Sequence, residues 1–558
     1  MLLRIEKTTL LRNRQLGVVG TTLIVAGGLV AGVPPLRNPV LRTPELESVR
    51  ALTTPGVMIT FAGVTTLLIA WLRLGRLVRR EGGPDVRQLV TTLIWWSAPL
   101  CVALPIFSRD VYSYLAQGTM TVLGIDAYQY GPAILGGPLS IDVPPIWQTT
   151  PAPYGPTFLS LASDITIVTG ESIWLGVLGM RLLALGGVAL LVWAIPRIAR
   201  ACGVDPRAAV WLGLLNPLVL VHLVADSHND ALMLGLMMAG IALALDRRPA
   251  AGAVLIALGA LVKAPAGLAL LFIVPIWAGQ LSPRSRTSTR WALGALGSFG
   301  IGALTAVVAT TVAGTGFGWI NALDTPTLAH TWTSITTDLG VWLGMLASAL
   351  DITSEAHVLA WVRLAGLLAA GLTCLALLRR YHATAPIVGL GLGLAAVLAL
   401  GPVVHPWYLL WAILPLAAAA TSAKIRKWTT VISVAMLMTV LPGGVRPNVP
   451  SFAGALLGVG LVFAIAWLVD NVDWSDPPRS VVATGRQLLS RFTNDRAPEP
   501  ALAGVSAGSK VFQREPVAVD TQAADHTGGD RRHDRVMTER FARMDVRDVD
   551  LDQGPRQR

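Results

Sequence analysis

Apolar runs long enough to cross a lipid bilayer recur through most of this chain. A helix needs about 20 mostly apolar residues to span roughly 30 Å of hydrocarbon. The two runs on either side of Lys263 are short and can equally form one re-entrant hairpin. The pattern therefore predicts an all-α bundle of about 12–14 transmembrane helices. The predicted runs are 15–33, 55–73, 88–106, 173–195, 208–224, 229–245, 249–262, 266–281, 292–314, 357–378, 384–402, 405–420, 428–442 and 452–469.

Composition agrees with this interpretation and excludes a soluble enzyme. Charged residues make up 14% of the 558 residues, against about 25% in soluble proteins. The mean hydropathy of +0.59 is too high for one soluble core to hide. The transmembrane domain is predicted to span 1–470. The stretch 471–558 has little apolar periodicity, which is typical of a disordered tail.

Arginine and lysine collect after every second predicted helix. Because cytoplasmic loops of membrane proteins carry an excess of these residues, both termini are predicted to be cytoplasmic in a bacterial plasma membrane. The net charge of +11 then reflects topology, so no nucleic-acid partner is expected. The clusters lie at 73–87, 197–207, 247–248, 284–290, 379–380 and 424–427.

Two long segments, 107–172 and 315–356, fall on the opposite, extracytoplasmic side and are rich in aromatic and polar residues. Polar residues also cluster at the outer ends of predicted helices. Transporters usually keep ionisable groups near the bilayer midplane, whereas an enzyme acting on a lipid head group needs them at the interface. The pattern favours such an enzyme. A lipid-linked sugar flippase or transporter is the alternative, although no inverted repeat is visible.

Two clusters contain candidate acids. Asp110 follows Arg109 at the start of an amphipathic segment, where it could be a functional carboxylate or a helix N-cap paired with its neighbour. Asp226, His228 and Asp230 form an Asp-x-His-x-Asp pattern that could cap a helix or hold a metal. Because only this short stretch offers ligand spacing, no metal site is expected.

Candidate cations and aromatic residues complete the set. Lys263 could bind a phosphate or act as a snorkelling anchor at the membrane interface. His405 opens a predicted helix on the outer side. Arg181 and Arg363 lie inside predicted helices, where a charge must be paired or reach a phosphate. Tyr154 lies in an outer segment and could stack on a sugar or fill a compact loop.

Five stretches, taken in their order and spacing, resemble a known family. They are similar to the actinobacterial polyprenyl-phosphomannose-dependent α-(1→6)-mannosyltransferases of the GT-C class, MptA and MptB, with MptB the closer of the two. The stretches are 107–118, 151–156, 216–230, 263–265 and 405–408.

The resemblance implies transfer of mannose from polyprenyl-phosphomannose to a lipid-anchored α-(1→6)-mannan acceptor in lipomannan and lipoarabinomannan synthesis, with inversion at the sugar carbon. Asp110 matches the general base of such enzymes, although Arg109 stands where many members carry a second acid. The chemistry needs cations near the leaving phosphate, and no metal cofactor is expected. The remaining candidates for donor and substrate binding are Arg109, Lys263, His405, Arg181, Arg363, Tyr154, Asp226, His228 and Asp230.

Overall fold

Helices are the only regular secondary structure in the computed structural model over the residues it describes, 2–36, 43–328 and 333–471. Segments of 3₁₀-helix and one π-helix connect several of the α-helices. The α-helices are α1 (Leu2–Ala31), α2 (Pro44–Ala51), α3 (Thr53–Val78), α4 (Val86–Cys101), α5 (Asp110–Val122), α6 (Gly137–Asp142), α7 (Pro145–Gln148), α8 (Pro156–Thr169), α9 (Ile173–Ala201), α10 (Pro206–Leu212), α11 (Asp230–Leu245), α12 (Pro249–Ala260), α13 (Leu268–Gln280), α14 (Thr287–Ala313), α15 (Ile335–Ala349), α16 (Glu355–Tyr381), α17 (Pro386–Leu400), α18 (Leu409–Ala419), α19 (Ala423–Leu437) and α20 (Val449–Asn471).

By length and composition, six of the described helices can cross a membrane. They are α1, α3, α9, α14, α16 and α20. A seventh span results if the π-helix Val219–Ala225 and α11 count as one, although the two meet at an angle of 110°. Five further apolar helical segments are shorter. The all-α polytopic membrane fold is therefore confirmed, but several of the 12–14 predicted spans are short or interrupted helices.

The predicted helix 208–224 shows why runs of apolar residues overcount continuous spans. It breaks after α10 at Asn216-Pro217, because Pro217 has no backbone N–H to donate. Asn216 satisfies the interrupted backbone: its side-chain amide donates to Leu212 O and to Ser433 Oγ, and its Oδ1 accepts from Leu218 N. Irregular backbone at such a depth is stable only when protein encloses and satisfies it.

The two predicted outer segments contain more helix than their sequences indicate. The first, 107–172, holds α5 through α8, and the second, 315–356, holds a 3₁₀-helix at Gly318–Leu328 followed by α15. All described residues fall within one compact unit, Met1–Thr484. Of the predicted tail 471–558, residues 472–558 lie outside the described part of the chain.

Glycine contacts bring α9 directly against α11. A Cβ added at Gly187 would lie 2.2 Å from the carbonyl oxygen of Ala231, and one at Gly235 would lie 2.5 Å from the carbonyl oxygen of Gly187. Small residues allow the backbones of membrane helices to approach this closely. The crossing fixes the start of α11, which carries Asp230, against the middle of the bundle.

Candidate active site

Asp110 is the first residue of α5, after a non-helical stretch that leaves α4. Its backbone N–H donates to Ser108 Oγ at 3.2 Å, and its Oδ2 lies 3.5 Å from His228 Nδ1. The side chain is 17% exposed. Burial raises the pKa of Asp110 to about 6, and the opposing charge of Lys263 limits the rise. The carboxylate is therefore a stronger base than an ordinary aspartate.

The turn between the π-helix and α11 carries two of the predicted site residues. Ser227 adopts a φ of 57°, a left-handed conformation uncommon for residues other than glycine. Asp226 and His228, on either side of it, are buried. Asp226 Oδ1 accepts from the backbone N–H groups of Ile106 at 2.9 Å and Phe107 at 3.0 Å. This carboxylate thereby fastens the turn to the segment leading into α5.

Lys263 lies between α12 and the 3₁₀-turn that precedes α13. Its Nζ donates to Asp230 Oδ2 at 2.8 Å, and Trp411 Nε1 donates to Asp230 Oδ1 at 2.6 Å. The ammonium lies 4.4 Å from the ring centroid of Tyr408. Burial lowers the pKa of Lys263, but Asp230 and Tyr408 raise it further, so the net pKa lies above its ordinary value. Lys263 is therefore charged, and it acts electrostatically on Asp110.

An aromatic stack forms one wall of the pocket. The Trp407 ring stacks on His228 with centroids 3.9 Å apart and on His405 with centroids 4.5 Å apart. Burial, together with the charges of Lys263 and His222, lowers the pKa of His405 to about 3. The sequence-based hypothesis grouped His405 with the cations, but at neutral pH its imidazole is uncharged and can serve only as a hydrogen-bonding group.

Tyr154 lies in the same pocket, on the side of α8. Its ring meets those of Tyr114 and Phe158 edge-on, at centroid distances of 5.4 and 5.1 Å. The Tyr114 hydroxyl lies 3.4 Å from His228 Nδ1 and 3.5 Å from Asn229 Oδ1. The outer segment 107–172 thus packs its aromatic residues onto the turn that carries His228.

Arg181 holds helix ends together. Its guanidinium donates to the carbonyl oxygens of Cys101, Ala103 and Ala225 at 3.0, 2.5 and 2.7 Å. Cys101 ends α4, and Ala225 ends the π-helix. The sequence singled out a buried arginine that needs partners, and the partners are backbone carbonyls.

Arg109 and Arg363 were also predicted to belong to the site, but their contacts are with residues other than Lys263 and Asp230. Arg109 lies 4.0 Å from Asp142 Oδ1 in an ion pair within the first outer segment. Arg363, on α16, donates through Nε to Thr337 Oγ1 on α15 at 3.0 Å. The structure thus brings Asp110, His228, Asp230, Lys263 and His405 into one pocket and engages these arginines elsewhere.

The sequence-based candidates omit several residues that contact this site, Tyr114, Trp407, Tyr408 and Trp411 among them. Trp411 follows Trp407 by four residues, the spacing that places side chains on one helix face. That spacing was the available signal. Tyr114 lies four residues after Asp110 on α5 and carried the same signal.

An apolar groove of about 460 Å³ opens beside the pocket. Pro153 and Gly155, on either side of Tyr154 in the chain, line it, and so does Ala264, which follows Lys263. Small residues of α12 and α14 and the larger side chains of Phe299 and Trp319 contribute the rest of the apolar lining. The groove is therefore apolar and adjoins the chain neighbours of Tyr154 and Lys263.

The helical bundle, with buried carboxylates facing an ammonium at one pocket, defines a polytopic membrane enzyme. Two family models match the chain: the N-terminal domain of alpha-(1→6)-mannopyranosyltransferases over residues 14–279, and the MptB C-terminal domain over residues 336–469. The first match includes Asp110, His228, Asp230 and Lys263, and the second includes His405.

Full-length comparisons agree. A probable alpha-(1→6)-mannopyranosyltransferase of Mycolicibacterium smegmatis is 38% identical over 77% of this chain and 82% of its own. An alpha-(1→6)-mannopyranosyltransferase of Mycobacterium tuberculosis is 35% identical, covering 89% and 94%. Alpha-(1→6)-mannopyranosyltransferase B of Corynebacterium glutamicum is 35% identical, covering 81% of both. The chain belongs to the α-(1→6)-mannopyranosyltransferase family and is a mannosyltransferase.

Proposed function

We propose that this protein transfers mannose from polyprenyl-phosphomannose to a lipid-anchored α-(1→6)-mannan acceptor in lipomannan and lipoarabinomannan synthesis, by an inverting displacement with Asp110 as general base. The relatives named above support the bond that is formed. The observation that carries the mechanism is the convergence of Asp110 and Lys263, from distant parts of the chain, in one cluster of buried polar side chains.

The acceptor hydroxyl needs a base because it is a poor nucleophile while it holds its proton. Asp110 accepts that proton as the hydroxyl oxygen bonds to the mannosyl carbon, and the bond from this carbon to the phosphate oxygen breaks. General base catalysis of this kind contributes roughly 100 to 10,000-fold. The raised pKa of Asp110 brings the base closer to neutral pH.

The leaving phosphate gains negative charge during the displacement, and a nearby cation stabilises it. Lys263 has three N–H donors, and Asp230 accepts from it at 2.8 Å. Trp411 shares the charge of Asp230 by donating to its other oxygen. This leaves Lys263 with donor capacity for the phosphate while Asp230 holds the ammonium in place.

The apolar groove supports a lipid-linked donor. The chain neighbours of Lys263 and Tyr154 line it, together with apolar side chains of α12 and α14. An isoprenoid chain laid in this groove would deliver its phosphate beside Lys263. We assign the groove to the polyprenyl tail of the donor.

Charge supports an orientation for the site. The basic clusters after alternate predicted spans favour cytoplasmic termini and an extracytoplasmic position, in a bacterial plasma membrane, for the segment that begins α5. The donor then presents its mannose from the outer leaflet, and the mannan acceptor meets it there.

Transfer by membranes containing the full-length protein tests this proposal. With radiolabelled polyprenyl-phosphomannose and an α-mannoside acceptor, Asp110→Asn should lower the transfer rate at least 100-fold while leaving protein level unchanged. Glu171→Gln is the matched control, because this exposed carboxylate lies outside the pocket, and it should stay within twofold of the parent.

An Asp110→Asn variant that keeps the parent's rate would remove Asp110 from the mechanism. Translocation of the carrier across the membrane without any transfer would support a lipid-linked sugar flippase in place of the enzyme.

A further inference from the structure

Three buried side chains next to the pocket bring metal-ligating atoms together. His222, Asp226 and His228 are each at most 1% exposed. One ligand atom from each lies within 4.8 Å of the others. His222 belongs to the π-helix, and the other two belong to the turn that follows it.

These donor atoms lack hydrogen-bond partners. Within the described part of the chain, neither ring nitrogen of His222 is hydrogen-bonded, and the same holds for Asp226 Oδ2 and His228 Nε2. A buried polar group left unsatisfied destabilises the folded protein. Several such atoms facing one another in a single cluster are therefore unfavourable unless something else binds them.

Two of the candidate ligand atoms already face each other. His222 Nδ1 lies 3.7 Å from Asp226 Oδ2, a distance that one bound ion can bridge.

We propose that His222, Asp226 and His228 hold a divalent transition-metal ion of the zinc class. Two imidazole nitrogens and one carboxylate oxygen are typical zinc ligands, whereas Ca²⁺ and Mg²⁺ prefer all-oxygen sites. Zinc bonds of about 2.0–2.2 Å require donor atoms within about 4.4 Å of one another. The cluster therefore contracts by a few tenths of an ångström on binding.

The surrounding contacts suit this site. Asp226 Oδ1 remains bonded to the backbone of Ile106 and Phe107, which leaves Oδ2 for the ion. His228 Nδ1 faces the Asp110 carboxylate at 3.5 Å while Nε2 is unpartnered. Ligating histidines commonly direct their second nitrogen to a carboxylate in this way. The ion would hold the turn and the start of α5 in one geometry.

This proposed ligand set differs from two sequence-based expectations. The chain was expected to need no metal, and the Asp-x-His-x-Asp pattern offered Asp230 as the third ligand. Both carboxylate oxygens of Asp230 are already bonded, to Lys263 and Trp411. His222, one turn earlier in the π-helix, takes that place.

Metal content of the untagged, detergent-purified full-length protein tests the proposal without reference to activity. After dialysis, elemental analysis should find about one zinc per chain in the parent. His222→Phe should lose at least 80% of it, since a phenyl ring retains packing against Trp407. His357→Ala is the control, because His357 is exposed at the start of α16, and it should retain the parent's content.

A second measurement decides the matter if His222→Phe fails to fold. Parent protein stripped with a chelator and then given Zn²⁺ alone should regain one ion per chain and unfold at a higher temperature, because an ion that binds only the folded state stabilises it. Stripped parent that takes up no zinc would overturn the proposal. A folded His222→Phe variant with the parent's zinc content would overturn it as well.

Discussion

Helices α3 and α14 are similar in length and hydropathy but differ in what surrounds them. The apolar window of α3 is 72% buried inside the protein, whereas that of α14 is 17% buried, and α16 resembles α14. The buried charges of the pocket all lie among enclosed segments. Because a charge facing lipid is strongly unfavourable, catalytic groups in a membrane protein need a surrounding shell of helices. The peripheral helices supply that shell and an apolar surface.

The largest effect should come from breaking the enclosed ion pair. Asp230→Ala leaves Lys263 buried without its carboxylate partner, which typically destabilises a protein by about 3–5 kcal/mol. Asp230→Asn, which retains an oxygen for Trp411 Nε1, should be less damaging. The free energy of unfolding in mixed micelles measures both. A loss below about 1 kcal/mol for the alanine variant would show that water reaches the pair.

The crossing of α9 and α11 allows a test with adjacent residues. Gly187→Leu places a side chain against the Ala231 carbonyl and should destabilise the fold by about 1–3 kcal/mol or more. Gly186→Leu adds the same side chain where no atom lies within 4 Å, and should change stability by at most about 0.5 kcal/mol. Equal unfolding free energies for the two variants would mean that the close crossing contributes little to stability.

We expect the face of α14 that lines the apolar groove to affect how well the enzyme uses a long-chain polyprenyl donor. Ala303→Phe narrows the apolar groove and should lower kcat/KM for a long-chain polyprenyl donor about tenfold, equivalent to about 1.4 kcal/mol, while sparing a short-chain donor. Gly300→Phe, on the same helix but in open space, should leave both rates unchanged.

Equal losses with both donors would exclude the groove as the tail site. If the parent used neither donor, the proposed function would fail and the groove would remain a separate question.

The smallest effect should come from an exposed pair. Arg207 lies 2.9 Å from Asp205, and both side chains are more than a third exposed. Surface ion pairs of this kind contribute about 0–1 kcal/mol. Arg207→Ala should therefore hardly change the unfolding free energy. A loss comparable to that of Asp230→Ala would contradict the distinction between enclosed and exposed charges.

The fold class and the family could be predicted from sequence because hydropathy and motif order are local properties of the chain. The break of the 208–224 run could not, since it depends on Asn216 meeting Ser433 in another helix. Hydropathy counts apolar residues but carries no information on such contacts. Apolar runs therefore include short and interrupted helices as well as continuous spans.

The sequence identified several residues of the candidate site but not the contacts that each of them makes. Asp110, Lys263 and His228 stood out because polar residues at helix ends are conspicuous in an apolar chain. The carbonyl partners of Arg181 and the neutrality of His405 depend on burial and on residues distant in sequence. Local pattern could not reveal them.

The hydrogen bond from Trp411 to Asp230 joins residues 181 positions apart. The ribosome therefore makes the two partners at different times. At about 5–20 residues per second, a ribosome takes roughly 10 to 35 seconds to synthesise the tryptophan after the aspartate. During that interval the nascent chain holds an acid whose final neighbour has not been made. The hydrogen bonds of Asp230 can therefore be completed only after Trp411 has been made, and a chain cut short before α18 would lack this partner.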